Sequence, residues 1–456
     1  MNPTGSSTIS LPAPVTELLQ GQASMLGVYK SGPATRAMLG AALAGQGHFP
    51  VLVARNDKER AAIEAAVRVF SPLENGPAWK GEWAILPRFQ PDRSTPDGWA
   101  RRMAVMYGLS QGGEGPKGLL LTLDNLAPLW PSRDVLAGHH FLLEKGEEMS
   151  TQLLLEQAVS WGYTRTTFVT RPGEIAVRGD ILDIFAPGFT APLRLEFFGD
   201  FLEDMRVFDS VSQRSQGNLD HALLLPVSPS ILTPEYQDQA MQRWKAWAKE
   251  GALSPRRHRR LVADLEQGNT AKLWPGLYDP APSLLESWLP SNAVWLLPGT
   301  EALTSALDEA LWAWQEHVAQ EDDFIEGQEP DQRPDQDPAF RTRNEILAGL
   351  DGFRRIGFED LVMGLERQGV DLEERPIGSF AELAARNEAV PPDTRELEPE
   401  QGSDLNEGAV REARDRPWQT LIRLLKKWSL EQGRLTVLCF HSERSRGKFL
   451  QLAEQE

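Results

Sequence analysis

The chain has 456 residues, 41% of them hydrophobic and 25% charged, with a formal net charge of −18. That length exceeds what one core holds, so about three or four folded units are expected, and the acidic balance argues against broad, non-specific binding to nucleic acid. The single Cys439 excludes an internal disulfide and fits a reducing compartment. No stretch reads as a signal peptide or membrane span, so a cytoplasmic protein without a membrane partner is expected.

Residues 1–21 read as a flexible N-terminus. The stretch LGVYKSGPATRAM follows, in which Gly27 and Gly32 have the spacing of the phosphate-binding loop G-x-x-x-x-G-K-[ST]. Pro33 stands where the lysine should be and removes both its charge and a backbone N–H donor. Ala34, in place of Ser/Thr, cannot ligate magnesium, and Lys30 comes three residues too early to stand in for the missing lysine. No apolar strand ends in Asp-Glu; GLLLTLDN offers one acid, followed by Asn. The loop is expected to bind no nucleotide, and the chain to need no cofactor.

From 22 to 145 helix and strand alternate. HFPVLVAR reads as a buried strand, KERAAIEAAVRVF as an amphipathic helix with Ala62, Ile63, Ala66, Val67 and Phe70 on one face, and GLLLTL as another buried strand. This is the rhythm of an α/β sheet domain. Near residue 140 the rhythm changes. After the strand HHFLLEKG comes the helix STQLLLEQAVSWG, with Ser150 placed to cap it and Gly162 to end it. Four strands with turns between them follow: YTRTTFVT, IAVRGDILDIF, APLRLEFF and FLEDMRVFD. Residues 146–224 thus read as an α+β domain, an antiparallel meander backed by one helix.

In APLRLEFF, Leu193, Leu195 and Phe197 share the core face, while Arg194, Glu196 and Phe198 share the other. An aromatic beside an arginine on the outer face has the composition of an interface hot spot. Arg178 shares the parity of Asp180 and Leu182 and joins that face if the register allows, unless Gly179 introduces a bulge. The alternative is that the arginines pair with neighbouring acids and Phe198 packs under the Gly-Asp hairpin.

Residues 225–318 return to helices and the strand NAVWLLPG. They carry the densest basic run, PRRHRR, whose Arg256 to Arg260 lack interleaved aromatics and read as a solvated helix or loop. Residues 319–340 read as an acidic linker, since 321–337 hold eight acids against one Arg. A smaller third α/β domain is expected over 341–456, with Cys439 a buried thiol in the strand RLTVLCF, and the whole is expected to be a fragment of a longer protein. No hydrolase elbow, zinc-protease, paired-cysteine or dinucleotide motif occurs, and the adjacent His139 and His140 would face opposite sides of a strand, so neither catalysis nor a metal site is expected.

GEIAVRGDILDIF…PLRLEFFGDFLEDMRVFDSVSQRS resembles the second domain of the UvrB and transcription-repair coupling factor families. The ending RVFDSVSQRS and the segment LWPGLYDPAPSLLESWLPSNAVWLLPG are more similar to the coupling factors. This resemblance implies a degenerate RecA-like (UvrB-like) domain split by the meander, with LGVYKSGPA at the place of UvrB's LGVTGSGKT. It implies that residues 146–224 bind the repair protein UvrA through Arg178, Arg194 and Phe198, with Arg165 and Glu196 as accessories. It further implies a recruiting and autoinhibitory module that contacts carboxy-terminal domains of the full-length protein, a DNA translocase driven by ATP. RNA polymerase and DNA would be met through parts outside this chain. The alternative is an ATP-dependent, UvrB-like enzyme that loads on damaged DNA; no aromatic-rich segment like UvrB's damage-probing hairpin occurs in residues 79 to 110.

Overall fold

The computed structural model describes residues 11–371, apart from 22–23, 30, 71–82, 90–94, 113–114, 268–272, 324–338 and 360–368, and past 371 only residues 422, 447, 449–451 and 453. The chain divides into two units, Met1–Leu372 and Glu373–Glu456. In the first, α1 (Ala13–Leu19) and β1 (Met25–Tyr29) lead into α2 (Pro33–Gly45), β2 (Phe49–Ala54), α3 (Asp57–Phe70), β3 (Trp83–Ile85), α4 (Pro96–Ser110) and β4 (Gly118–Thr122). Next come α5 (Arg133–Ala137), β5 (Phe141–Glu144), α6 (Thr151–Ser160), β6 (Thr164–Arg165), β7 (Glu174–Arg178) and β8 (Ile181–Ile184). They are followed by β9 (Leu193–Phe198), β10 (Phe201–Phe208), β11 (Ser215–Asn218) and β12 (His221–Leu224). The chain continues through α7 (Pro234–Glu250), α8 (Pro255–Glu266), α9 (Pro275–Tyr278), β13 (Ala293–Pro298), α10 (Thr300–Asp323), α11 (Arg343–Leu350), β14 (Arg354–Glu359) and β15 (Gly369–Asp371).

Strands from both ends of this unit build one seven-stranded sheet, in the order β15-β1-β14-β13-β2-β4-β3. Every neighbouring pair is parallel. β2, β4 and β13 are buried along their whole length, which is why they read as unbroken apolar runs. Alternate residues serve opposite cores. Val51, Val53, Leu121 and Trp295 pack with Met103 and Trp244, whereas Leu52, Ala54, Leu120 and Leu296 pack with Leu43 and Ile63. On α3, Ile63, Ala66 and Val67 are buried, but Ala62 is exposed and lies off the expected stripe.

Two expected boundaries move. Within the stretch 1–21, expected to be flexible, residues 13–19 form a helix that buries Val15 and Leu18 in the core containing Val28; their i, i+3 spacing supplies an apolar face, and a proline in the first turn presets the backbone. The third domain does not begin at 341. β14 lies inside the parallel sheet, and Arg341 makes a buried ion pair with Glu286 at 2.8 Å. Ala339 and Phe340 are also in this core, so the packed chain resumes before the expected linker ends. α10 runs to Asp323 into the linker's expected start, and residues 324–338 lie outside the described residues. So does nearly all of 373–456, including RLTVLCF and Cys439; Ile422 and Phe449 are buried there.

The antiparallel insertion forms a six-stranded sheet, β11-β10-β9-β8-β7-β6, in which only β6–β7 is parallel. Ser150 caps α6 by accepting the Leu153 N–H, and Leu154, Leu155 and Ala158 pack with Leu182, Leu195 and Met205. β5 pairs with β12, closing the base of the insertion at Phe141 and Leu224. IAVRGDILDIF, expected as one strand, is a hairpin. Arg178 pairs with Ile181 across a Gly179-Asp180 turn, and Gly179 has φ +61°, open to glycine at no steric cost. The expected strand YTRTTFVT shrinks to Thr164–Arg165.

Candidate functional site

β9 alternates as its sequence does: Leu193, Leu195 and Phe197 are buried, Arg194 and Glu196 half-buried, Phe198 exposed. Across the sheet one row runs Ala176–Asp183–Arg194–Arg206, and the next Arg178–Ile181–Glu196–Asp204. Residues two apart share a face, so both rows lie opposite the core that α6 shares. The hairpin turn, rather than a bulge, brings Arg178 to this face, while Leu182 belongs to the core.

Asp183 is 1% exposed and joins the two arginines. Arg194 donates Nε to Oδ1 at 2.7 Å and Nη2 to Oδ2 at 2.9 Å, and Arg178 donates Nη2 to Oδ2. Arg194 also donates Nη2 to Gln213 Oε1 at 3.2 Å, and its guanidinium lies 4.5 Å over the Phe208 ring. The hydrogen bond to Asp183 outweighs desolvation and raises the Arg194 pKa, so the cation is held charged. The Arg178 guanidinium lies 5.1 Å over the exposed Phe168. Glu196 accepts from Arg206, and Arg206 also reaches Asp204 at 3.4 Å.

The arginines therefore do pair with an acid, but Phe198 does not tuck under the hairpin: it is 80% exposed at the end of β9. Arg178, Arg194, Glu196 and Phe198 share one face. Arg165 is exposed on β6, in register with the core residue Ile175, and so stands outside the row of Arg178. Asp183, Gln213 and Phe168 were not singled out from the sequence. Asp183 had a signal, as the acid whose parity in ILDI opposes Leu182 and Ile184; the other two had none, because turns bring them to the arginines.

At the opening loop, β1 and α2 keep a strand–loop–helix outline. Gly32 is the N-cap, without a side-chain cap, Pro33 lies in the first turn, and both Pro33 and Ala34 are exposed. Gly27 pairs with Gly357 and Gly369 inside the sheet. One turn into the helix, Arg36 is 4% exposed, donates to Glu59 at 2.9 Å and lies 4.8 Å over Phe358. Burial pushes the Glu59 carboxyl up, but hydrogen bonds from the Arg55 backbone N–H and guanidinium and the charge of Arg36 outweigh it and hold the pKa below its ordinary value. β14 borders β1 and ends with Glu359 opposite Tyr29, an acid missed in the sequence because RRIGFE is no apolar run. Asp124, after β4, is separated from β1 by three strands and accepts from Thr122 at 2.6 Å and Arg88 at 2.7 Å. The basic run PRRHRR begins α8, with Ser254 as N-cap, and Arg260 reaches Asp264 at 3.7 Å. Among the described residues no helix is long and apolar enough to cross a membrane.

A family model, the UvrB interaction domain, matches residues 141–229, the span from β5 through β12. Similar curated proteins are transcription-repair-coupling factors. That of Myxococcus xanthus is 31% identical over 235 residues, covering 48% of this chain and 19% of that protein. That of Escherichia coli is 33% identical over 147 residues, covering 32% and 12%, and that of Mycobacterium bovis 31% identical over 209 residues, covering 44% and 16%. The chain thus aligns with less than a fifth of the length of these relatives. Residues 141–229 are thus similar to the UvrB interaction domain, and through them and their flanking sequence the chain is similar to part of the transcription-repair-coupling factors.

Proposed function

We propose that this chain acts as the amino-terminal module of a transcription-repair coupling factor and recruits UvrA through the outer face of its antiparallel sheet. The observation that carries this reading is the position of the Arg178–Asp183–Arg194 clamp and the exposed Phe198 on one face of the matched domain. A fixed pair of guanidinium groups beside an unburied aromatic ring supplies charge and apolar anchoring together, which is how interface hot spots are composed. The parallel sheet is read as the RecA-like part split by this insertion, and its loop at Gly27–Ala34 as one that no longer binds nucleotide. Arg36, paired with Glu59 at the start of α2, supplies an internal cation there in place of one aimed at phosphate. Autoinhibitory contacts with carboxy-terminal domains, and engagement of RNA polymerase and DNA by parts outside this chain, complete the proposed role.

Capture of purified UvrA by the chain tests the face. Arg194→Glu and Phe198→Ala should each weaken capture more than tenfold, given a typical cost of about 2 kcal/mol or more per anchor. Normal capture by both variants, with folding intact, would refute the assignment.

A further inference from the structure

Resting on that reading of the face, we infer that Gln213 is a positioning residue, which holds Arg194 in the conformation that meets the partner. Gln213 has φ +60°, and among the described residues it is the one non-glycine with positive φ. L-residues rarely take that conformation, and it persists where surrounding contacts over-determine it. Those contacts are present in the turn between β10 and β11. Asp209 Oδ1 accepts the N–H groups of Val211 at 3.2 Å and Ser212 at 2.6 Å, and the Gln213 N–H donates to Asp209 O at 2.8 Å. The Asp209 N–H in turn donates to Arg214 O at 2.9 Å.

The amide of Gln213 is used at both ends. Its Nε2 donates to Ser210 O at 2.8 Å, and its Oε1 accepts from Arg194 Nη2 at 3.2 Å. A guanidinium can only donate, so the amide orientation is dictated by chemistry. Asp183 takes Nε and Nη2 of Arg194 from within the sheet, while Gln213 takes Nη2 from the turn. Two acceptors on different elements leave the guanidinium plane little freedom, and Nη1 has no hydrogen-bond partner among the described residues. A side chain fixed before contact loses less entropy on binding.

Asparagine tolerates the left-handed backbone better than glutamine but is one methylene too short to reach Arg194. Glutamate keeps the length and the acceptor for Arg194, with a charge that strengthens that bond, and gives up the donor to Ser210 O. UvrA affinity and the thermal midpoint should be measured on the whole chain for wild type, Gln213→Asn, Gln213→Glu and Arg194→Glu. Gln213→Asn should weaken UvrA binding about five- to tenfold with an unchanged or higher midpoint, and Gln213→Glu should stay within about twofold of wild type. Wild-type affinity in Gln213→Asn, with Arg194→Glu defective, overturns the inference and leaves the face standing. A midpoint that falls together with affinity in Gln213→Asn assigns Gln213 to folding and also overturns it. Wild-type affinity in Arg194→Glu sinks the reading of the face itself.

Discussion

Replacing Asp183 by alanine should loosen the centre of the antiparallel sheet by an amount that can be worked from its bonds. The carboxylate is 1% exposed and accepts two hydrogen bonds from Arg194, whose side chain is 17% exposed, and one from Arg178, whose side chain is 40% exposed. Arg178 can rehydrate when its partner goes, so its bond contributes little. The two Arg194 bonds dominate, and removing one partner of a buried pair costs roughly 3–5 kcal/mol. With Arg194 partly open to solvent the lower end applies, about 3 kcal/mol for Asp183→Ala. Asparagine retains an acceptor oxygen but not the charge, and should cost about half as much. Hydrogen exchange of peptides covering 181–198 reads the opening of β8 and β9 directly. A loss of about 3 kcal/mol lowers protection there by on the order of 100-fold. Protection within about threefold of wild type would show that Asp183 does not anchor the arginines, and the energetic reasoning would fall.

Four further outcomes are expected. Phe198→Ala should leave the urea midpoint almost unmoved, about 0.5 kcal/mol or less, because the ring is 80% exposed; a large loss of stability would mean that the ring packs after all. Glu59→Gln tests the ion pairs beneath the opening loop: with its folded pKa held below the unfolded value, Glu59 contributes stability that is complete above the unfolded pKa and is lost as pH falls through the folded one. Denaturation at several acidic pH values should therefore show a shallower acid slope for Glu59→Gln, and parallel slopes would refute the pairing. Gly162→Ala should cost about 2 kcal/mol or more in chemical denaturation, since φ is +95° and a Cβ would meet Ser228 Cβ at 2.6 Å; a neutral result would contradict the tight turn after α6. Calorimetry with ATP and magnesium should give no binding heat, and micromolar binding would restore Gly27–Ala34 as a nucleotide site.

Local chemistry made much of this protein legible in one dimension. The unbroken apolar runs of β2, β4 and β13, the Ser150 cap of α6 and the alternation along β9 all appear in the structure where the sequence predicts them, because each depends only on residues a few positions apart. What tertiary structure decided involves partners distant in the chain. Strand order set β14, from residue 354 onward, beside β1, moving the expected domain boundary and placing Glu359 opposite Tyr29. The Gly179 turn folded one expected strand into two and brought Arg178 to the outer face. Asp183 and Gln213 became partners of Arg194 only when three strands and a turn converged on it. Periodicity says which side a residue faces; which neighbour waits on that side is settled by pairing and register, whose free energy comes from long-range contacts.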